Sequence, residues 1–410
     1  MSRFTAPIAE QIWDMKYRFK AADGTPNDAT KPLLEPVIKP LYGAFAALTR
    51  ARAARQPLDL DLPERKIVLA DDGTVHSVNF ADRLDAHKLI EEFMVLANVA
   101  AAETLIAKRT PLLFRVHEEP PPEKLDSLRE TADAAGFTLA KGQVLKTAHL
   151  NRLLNAAAGS EEAELINLAT LRSMTQAYYS PDNFGHFGLA LKSYAHFTSP
   201  IRRYADLLVH RALVDSYQLE QPKPKSDLPP ASGLSDKDRE DLGKIADAIS
   251  KTERRAMEAE RDTIDRYVAA WLSGRVGETF KTRITGVQSF GFFATIEGLG
   301  GDGLVPVSTL GSDYFRYDET AQSLVGERSG VSYTSGDRLE LKLGEANALT
   351  GALKFVPLDA DGSPIEARGN RPQYGGKGGG KGGKSKHKRK FMQGQRGRPG
   401  NIRHQGKKKR

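Results

Sequence analysis

The chain has 410 residues, 40% of them hydrophobic and 27% charged, so it has room for two or three domains with a sizeable core. It contains no Cys, which excludes both disulfide bonds and thiolate metal sites. The formal net charge of +8 is unevenly distributed, because residues 368–410 hold 16 Lys and Arg and no Asp or Glu. The remaining residues therefore carry 44 basic against 52 acidic side chains.

The acidic body and the basic tail predict different kinds of contact. The body does not attract nucleic acid through its overall field, so a contact there must be local, whereas the tail attracts a polyanion by itself. No apolar run approaches the roughly 20 residues of a membrane span, and the N-terminus lacks the apolar stretch of a signal peptide. We therefore expect a cytoplasmic protein without a membrane partner.

The first half of the chain predicts helices with short strands between them. Residues 1–30 are hard to place and end in a loop rich in Gly, Pro, Asn and Asp. After them, apolar residues recur at three- and four-residue spacing, which is typical of helices, and β-rich runs flank a turn at Asp71-Asp72-Gly73. In chain order, the predicted elements are a helix at 33–55, a hairpin at 66–78, a helix at 85–108, a buried strand at 112–117, a helix from 123, and a helical segment at 150–157.

The second half predicts one long helix and then a small barrel. Ser235 is suited to cap a helix that reaches Ser273, with an apolar stripe on one side and charges opposite. From Gly274 the sequence changes to short strands with Gly at the corners, which over about 80 residues suits a five-stranded OB-type barrel. After about residue 358 the sequence is low-complexity Gly, Lys and Arg, which predicts disorder in isolation.

The most informative run is 196–206, HFTSPIRRYAD, which places Arg202 and Arg203 directly after a Pro-Ile pair and before Tyr204 and Asp206. Arg suits the planar, bidentate binding of a phosphodiester. This run closely resembles the signature near the end of the catalytic domain in the ribonuclease R / ribonuclease II (RNB) family of 3′→5′ exoribonucleases. Two further runs resemble blocks of that family, LIEEFMVLANVAA at 89–101 and FRVHEEP at 114–120. The barrel runs at 286–293 and 303–308 resemble an S1 RNA-binding domain.

The resemblance implies a fold class and a reaction. The fold is α+β, a partial RNB catalytic domain at 31–272, followed by an all-β S1/OB-fold barrel at 273–357 and a disordered basic tail at 358–410, with an atypical segment at 1–30. The reaction is processive hydrolysis of single-stranded RNA from its 3′ end to nucleoside 5′-monophosphates. Family members use Mg²⁺ held by aspartates, which activates water and stabilises the leaving oxygen.

The resemblance also implies catalytic residues. Arg202 aligns with the first Arg of the family's Ser-Pro-Ile-Arg block and is expected to stabilise charge on the scissile phosphate. Glu91 or Glu92 is expected to approach the RNA 3′ end or to support the metal. Adjacent helical residues diverge by about 100°, so only one of the two faces inward, and the sequence leaves both open. Asn98, seven residues after Glu91, is placed to order that carboxylate.

The remaining site residues are expected to bind RNA. Arg203 either contacts a neighbouring phosphate or pairs with Asp206, and His117 either contacts RNA, orients Glu118 or is structural. Aromatic rings stack bases without regard to sequence, and Lys and Arg contact phosphates in a salt-sensitive way. The residues expected to do this, besides Arg203 and His117, are Tyr204, His196, Phe290, Phe293 and Tyr314, with Lys386, Lys388, Arg389 and Lys390 in the tail.

One feature of the family is missing from this sequence. The aspartate cluster that holds the metal in an N-terminal block of the catalytic domain does not occur, so we predict no metal ligand, and Mg²⁺ rests on the resemblance alone. Two alternatives to an enzyme stay open: an inactive RNA-binding protein that uses barrel and tail, and one half of a split nuclease whose partner is an N-terminal RNB fragment. The tail also suits the ribosome as a partner. A sheet without its completing strands predicts an exposed, adhesive edge.

Overall fold

The computed structural model describes residues 31–359 with short gaps, together with residues 362 and 365. The gaps fall at residues 63, 82–83, 142–144, 220–232 and 319–322. The predicted N-terminal segment and the predicted tail residues Lys386, Lys388, Arg389 and Lys390 therefore lie outside the described residues. Within the part that is described, no helix is both long enough and apolar enough to cross a membrane.

The first elements carry little of the core. A helical turn at Lys31–Leu33 and a π-helical stretch at Leu34–Ile38 lead into helix α1, Lys39–Arg55, and none of these residues is buried. Strands β1, Arg65–Leu69, and β2, Val75–Phe80, then pair antiparallel around a turn in which Asp72 accepts a hydrogen bond from the Thr74 amide. The helix and the hairpin expected from the sequence are both present.

Helix α2, Asp85–Ala107, contributes to a buried apolar cluster of the α+β part. Its buried residues recur mostly every three positions, the spacing that keeps one face of a helix against its neighbours. Ala101, Ala102 and Leu105 pack with two short antiparallel strands, β3 at Phe114–Val116 and β4 at Tyr178–Ser180, and with the helix that follows the Arg-rich run. The strand predicted at 112–117 is thus shorter than expected.

Three amphipathic helices form a separate apolar cluster. They are α3, Pro122–Ala134, α4, Thr147–Ala157, and α5, Ala163–Ser173. Their apolar faces meet around Leu128, Leu150 and Ile166, and Leu58 and Leu60 pack against them from the segment after α1. Helix α5 was not expected from the sequence.

Two further helices complete the α+β part. Helix α6, Tyr204–Tyr217, begins within the Arg-rich run and was also not expected. Helix α7, Asp236–Ser273, is the long helix that the sequence predicts, and the Ser235 hydroxyl accepts a hydrogen bond from the Asp238 amide at its start. Its beginning packs with α2 and α6 through Leu242, and its end packs with the barrel through Leu272. Met257, in the middle, is exposed.

The last part is a closed five-stranded barrel, as predicted. Its strands are β5 Thr279–Gln288, β6 Gly291–Ile296, β7 Asp302–Pro306, β11 Arg338–Asn347 and β12 Ala352–Pro357. They lie in the order β11-β12-β7-β6-β5, with β12 and β7 parallel and the other described pairs antiparallel. A small sheet of β8 Phe315–Asp318, β9 Ser323–Gly326 and β10 Ser332–Thr334 is inserted between β7 and β11.

Barrel closure depends on close packing inside it. Phe292 and Phe355 are fully buried there. A Cβ at Gly303 would lie 2.3 Å from the Phe355 ring, so only Gly fits opposite that side chain. The fold class expected from the sequence, an α+β part followed by an S1-like barrel, is confirmed.

Candidate active site

The Arg-rich run forms a loop, residues 197–203, that two buried side chains hold; we call it the arginine loop. At its start, Asn98 Oδ1 accepts the backbone N–H groups of Phe197 at 2.9 Å and Thr198 at 3.2 Å. Asn98 Nδ2 donates to the Tyr194 hydroxyl at 2.9 Å, and Asn98 is only 2% exposed. One amide on α2 thus fixes the entry to the loop, because a buried amide group in three hydrogen bonds has little freedom to move.

Asp206 holds the other end of the arginine loop. Its Oδ2 accepts the Ser199 N–H at 2.7 Å and the Arg203 Nη2 at 2.8 Å, and the residue is fully buried. Asp206 Oδ1 and Arg203 Nε, also buried, have no hydrogen-bond partner among the described residues. Arg203 therefore pairs with Asp206, one of the two alternatives that the sequence left open.

Arg202 differs from its neighbour in exposure and in pairing. Its side chain is exposed, and no ion pair or side-chain hydrogen bond joins it to another residue in the described ranges. Its backbone N–H donates to Ser199 O at 3.3 Å, which closes the turn, and Ile201 beside it is 87% exposed. Within the part of the chain that the structure describes, the loop thus presents an unpaired guanidinium at its tip, while hydrogen bonds hold its two ends.

Behind the arginine loop lies a cluster of Tyr179, His186, Tyr194 and His196. The Tyr179 hydroxyl lies 2.9 Å from His196 Nδ1, and the rings of Tyr194 and His196 meet edge-on with centroids 5.7 Å apart. Burial lowers the pKa of His186 to about 3, and burial together with the nearby Arg203 and Arg115 lowers the pKa of His196. Both imidazoles are therefore neutral at physiological pH.

His117 is fully engaged within the chain. The Gly188 N–H donates to His117 Nδ1 at 2.9 Å, so the ring proton is on Nε2, which lies 3.0 Å from Thr175 O. Burial lowers the pKa of His117, which keeps the ring neutral. A Cβ at Gly188 would approach Nδ1 to 2.8 Å, so this contact requires Gly. Both ring nitrogens bind backbone groups.

The two glutamates of α2 have different surroundings. Glu92 is 6% exposed, and its Oε1 accepts a hydrogen bond from Arg52 Nη1 at 2.8 Å. Glu91 is partly exposed. Of the pair, Glu92 therefore faces inward. Asn98, which the sequence placed to order Glu91, uses its amide in hydrogen bonds to the arginine loop and Tyr194.

The barrel presents aromatic rings on its surface. Phe290 and Phe293 are 50% and 39% exposed, with ring centroids 6.1 Å apart, and Tyr314 is 55% exposed. Phe292, between them in sequence, is completely buried. The alternation predicted along β6, with Phe293 outward and Phe292 inward, is confirmed. Tyr204, at the start of α6, is also exposed, at 46%.

The carboxylates of the described part do not fit a metal ion. No group of three or more Asp, Glu or His side chains there could hold one. Two aspartates early in the chain have other roles: Asp59 lies 3.6 Å from Arg52, and Asp72 is part of the β1–β2 turn. The described residues therefore supply no metal ligand set for the reaction.

Two contacts near the site were not foreseen from the sequence. Arg52 on α1 pairs with Glu92, and the Ser250 hydroxyl on α7 accepts the Tyr179 backbone N–H at 2.9 Å. Each joins residues at least 40 positions apart, on different elements whose periodicity gave no hint of the pairing. The signal that the sequence offers is a polar residue, Ser250, four positions after Ala246 on the buried face of α7.

Comparisons with known proteins agree with this architecture. Residues 17–218 match the RNB domain, and residues 274–347 match the S1 RNA binding domain. Ribonuclease R of Escherichia coli strain K12 is 37% identical over 327 residues, which are 80% of this chain and 40% of that protein. Ribonuclease R of Thermotoga maritima is 37% identical over 331 residues, 80% of this chain and 46% of that protein.

Solved structures show the same relationship. The apo form of Mycoplasma genitalium RNase R superimposes with a TM-score of 0.73 at 27% identity, over 85% of this chain and 52% of that one. The same protein in complex with ribose methylated single-stranded RNA gives the same values. An RNB domain followed by an S1 domain, with this likeness to ribonuclease R over most of its length, means that the chain belongs to the RNB family. It spans less than half of the length of these two curated relatives.

Proposed function

We propose that this chain acts in the 3′→5′ hydrolysis of single-stranded RNA to nucleoside 5′-monophosphates, as a ribonuclease R-type exoribonuclease or a part of one. Family membership and the likeness to ribonuclease R support the reaction. The observation that carries the proposal is the arginine loop, in which Arg202 is exposed and has no ion-pair partner among the described residues, while Asn98 and Asp206 fix the backbone.

Arg202 is the residue that binds the scissile phosphate. A phosphodiester gains negative charge on its non-bridging oxygens as the bond to the attacking oxygen forms. A guanidinium on a held loop meets that charge without first breaking an ion pair of its own. Arg203 instead positions the loop, because its charge is already matched by the buried Asp206.

The two glutamates divide their roles. Glu92 positions α2 against α1 through Arg52, and Glu91, which is partly exposed, is the one that approaches the terminal nucleotide. His196 and His117 are positioning residues that support the loops around the site, since their ring nitrogens contact Tyr179 or backbone groups. Tyr204 stacks a base near Arg202.

The barrel and the tail hold incoming RNA. Phe290, Phe293 and Tyr314 offer exposed ring faces for base stacking, worth about 1–3 kcal/mol per base. Lys386, Lys388, Arg389 and Lys390 add sequence-independent phosphate contacts. The ribosome, also a polyanion, is a second partner for the same tail. Mg²⁺ is the metal that the family resemblance leads us to expect, and no group of described carboxylates would hold it.

A second function is favoured by one observation. Because no group of described carboxylates would hold a metal ion, RNA binding without cutting is the second candidate function for this chain. An N-terminal RNB fragment that supplies aspartates would then complete the enzyme. The exposed apolar residues of the RNB part, such as Val37, Leu41 and Ile90, are consistent with a surface that such a fragment covers.

A gel assay with 5′-labelled single-stranded RNA and Mg²⁺ separates the two functions. Stepwise 3′ shortening by the purified chain, reduced about 10²–10³-fold in Arg202→Ala, would establish the enzyme and the role of Arg202. Arg255→Ala, an exposed Arg on α7, is the matched control and should cut normally. Binding without shortening, restored to cutting by the N-terminal RNB segment of a ribonuclease R, would establish the split form. Shortening that Arg202→Ala retains in full would refute the assignment of Arg202.

A further inference from the structure

A cavity of about 270 Å³ lies between α3 and α4, away from the arginine loop in sequence and in a different apolar cluster. Its apolar wall includes Leu139, Leu145 and Leu153. Its other wall carries Arg129, His149 and Arg152. We call it the basic cavity.

The charge of the basic cavity is unusual for this protein. Outside residues 368–410 the chain has more acidic than basic side chains, yet none of the nine residues that line the cavity is acidic. Asp126, beside the cavity, lies 2.7 Å from Arg129 and 3.8 Å from Lys141, so a single carboxylate is shared by two cations. The region keeps a net positive charge in an acidic body.

The basic side chains still have donors to offer. Arg152 is exposed and has no ion pair or side-chain hydrogen bond with another described residue. Arg129 donates to Asp126 through Nη1, while its Nε is buried and lacks a hydrogen-bond partner in the described part. Two guanidinium groups, one held in place and one free to move, suit an anion with several oxygens.

The start of helix α4 places a further hydrogen-bond donor at the basic cavity. His149 is the third residue of the eleven-residue helix, and its Nδ1 accepts the Lys146 N–H at 3.3 Å. The ring proton is therefore on Nε2, which can donate to a ligand.

We propose that the basic cavity binds the phosphate group of a ligand no larger than a mononucleotide. Arg152 and Arg129 bind the phosphate oxygens, and Leu139, Leu145 and Leu153 contact the organic part. The volume is slightly below the roughly 300–1,000 Å³ of typical small-molecule pockets, which excludes large cofactors. The phosphate can come from a free nucleotide or from the 5′ end of an RNA, and both present the same monoester. The proposal does not depend on nuclease activity.

Calorimetry of the full chain with 5′-AMP, inorganic phosphate and adenosine tests the site. We expect 5′-AMP to bind with a Kd of about 1 mM or tighter and adenosine to give no heat at the same concentration. Arg152→Glu should weaken 5′-AMP at least about tenfold, and Arg152→Gln should weaken it less, since residue 152 is exposed and neither change disturbs the core. Arg255→Glu is the matched control and should bind as the unaltered chain does.

Hydrogen exchange locates the ligand and distinguishes its source. With 5′-AMP, amides at 145–156 should gain protection, and Arg202→Ala should leave that protection unchanged. A short RNA with a 5′-phosphate that protects the same amides, where a 5′-hydroxyl RNA does not, would identify an RNA end as the ligand. Protection by 5′-AMP alone would identify a free nucleotide. Equal binding of adenosine and 5′-AMP, or unaltered 5′-AMP affinity in Arg152→Glu, would overturn the proposal.

Discussion

The barrel and the RNB part of this chain, residues 31–272, differ in how completely they bury their apolar residues. The barrel closes on itself, so each of its five strands has two neighbours, and large side chains such as Phe292 and Phe355 are fully buried. The RNB part has two separate two-stranded sheets and a 17-residue helix, α1, without one buried residue. Leu33, Val37 and Tyr42 around that helix are 42–45% exposed. The barrel core is completed by the end of α7, whereas the RNB part has exposed apolar surface that suits a further partner.

A matched pair of substitutions on β6 tests most strongly whether the barrel core is closed. Phe292→Ala should destabilise the barrel by about 3–5 kcal/mol, because it leaves a cavity in a closed core. Phe293→Ala, one residue along and exposed, should cost less than about 1 kcal/mol and instead weaken RNA binding. Chemical denaturation followed by fluorescence measures the first effect. Equal destabilisation by the two changes would mean that the barrel is not closed as described.

In the RNB part, we expect the largest loss of stability from a substitution of Asn98. Asn98→Ala removes three hydrogen bonds and leaves the Phe197 and Thr198 amides without an acceptor, which should cost about 2–4 kcal/mol. Amides 197–199 should then exchange faster with solvent. Asn155→Ala, at an exposed position of α4, is the matched control and should change stability by less than about 0.5 kcal/mol. Unchanged exchange in the arginine loop would remove Asn98 as its anchor.

The buried histidines should make the free energy of unfolding depend on pH. His186 is neutral in the folded protein because burial lowers its pKa to about 3, while the unfolded chain binds a proton below about pH 6.5. The unfolded state therefore holds more protons between these values, so stability is full above about pH 6.5 and falls as the pH is lowered toward about 3. The slope approaches about 1.4 kcal/mol per pH unit for each such histidine.

Replacing His186 with Gln should flatten this slope, since Gln has no proton to bind in either state. Thermal unfolding at several pH values measures the slope, and His76→Gln, on the β1–β2 hairpin, is the matched control. A His186→Gln variant that loses stability with acid as steeply as the unaltered chain would contradict the assignment of a buried neutral His186.

The smallest effect on stability should come from the exposed apolar surface of the RNB part. Val37→Ser with Leu41→Ser should change the free energy of unfolding by less than about 1 kcal/mol in the isolated chain, because both residues are exposed. The same pair should weaken association with an N-terminal RNB segment of a ribonuclease R, measured by analytical ultracentrifugation. Unchanged association would show that this surface is not the one the segment contacts.

Periodic features made much of the fold predictable. The α7 pattern from Ser235 to Ser273 has a cap and an apolar stripe, and the barrel strands alternate inward and outward residues, so both followed from local rules. Helix α6 was missed because its apolar residues, such as Leu208 and Val209, fill more than one face and follow a Pro-containing loop that gave no start signal. The β8–β10 sheet was missed because its strands have only three or four residues.

The candidate site was predictable in its residue types but not in its pairings. The Arg-Arg run identified the loop, yet only the fold shows Asp206 buried beside Arg203 and Arg202 exposed. Likewise, the sequence could not choose between Glu91 and Glu92, because the choice depends on Arg52, which is 40 residues away from Glu92. Contacts between distant segments are set by tertiary packing, which local patterns do not encode.

The most direct test of the account compares the two neighbouring arginines. We predict that Arg202→Ala weakens binding of single-stranded RNA and lowers the salt dependence of log affinity by about 0.7, the loss of one phosphate contact, without a change in stability. Arg203→Ala should instead destabilise the fold by about 1–3 kcal/mol, because it leaves the buried Asp206 carboxylate without its cation. The opposite pattern, with stability lost in Arg202→Ala and RNA affinity unchanged, would contradict the assignment of Arg202 to the RNA phosphate.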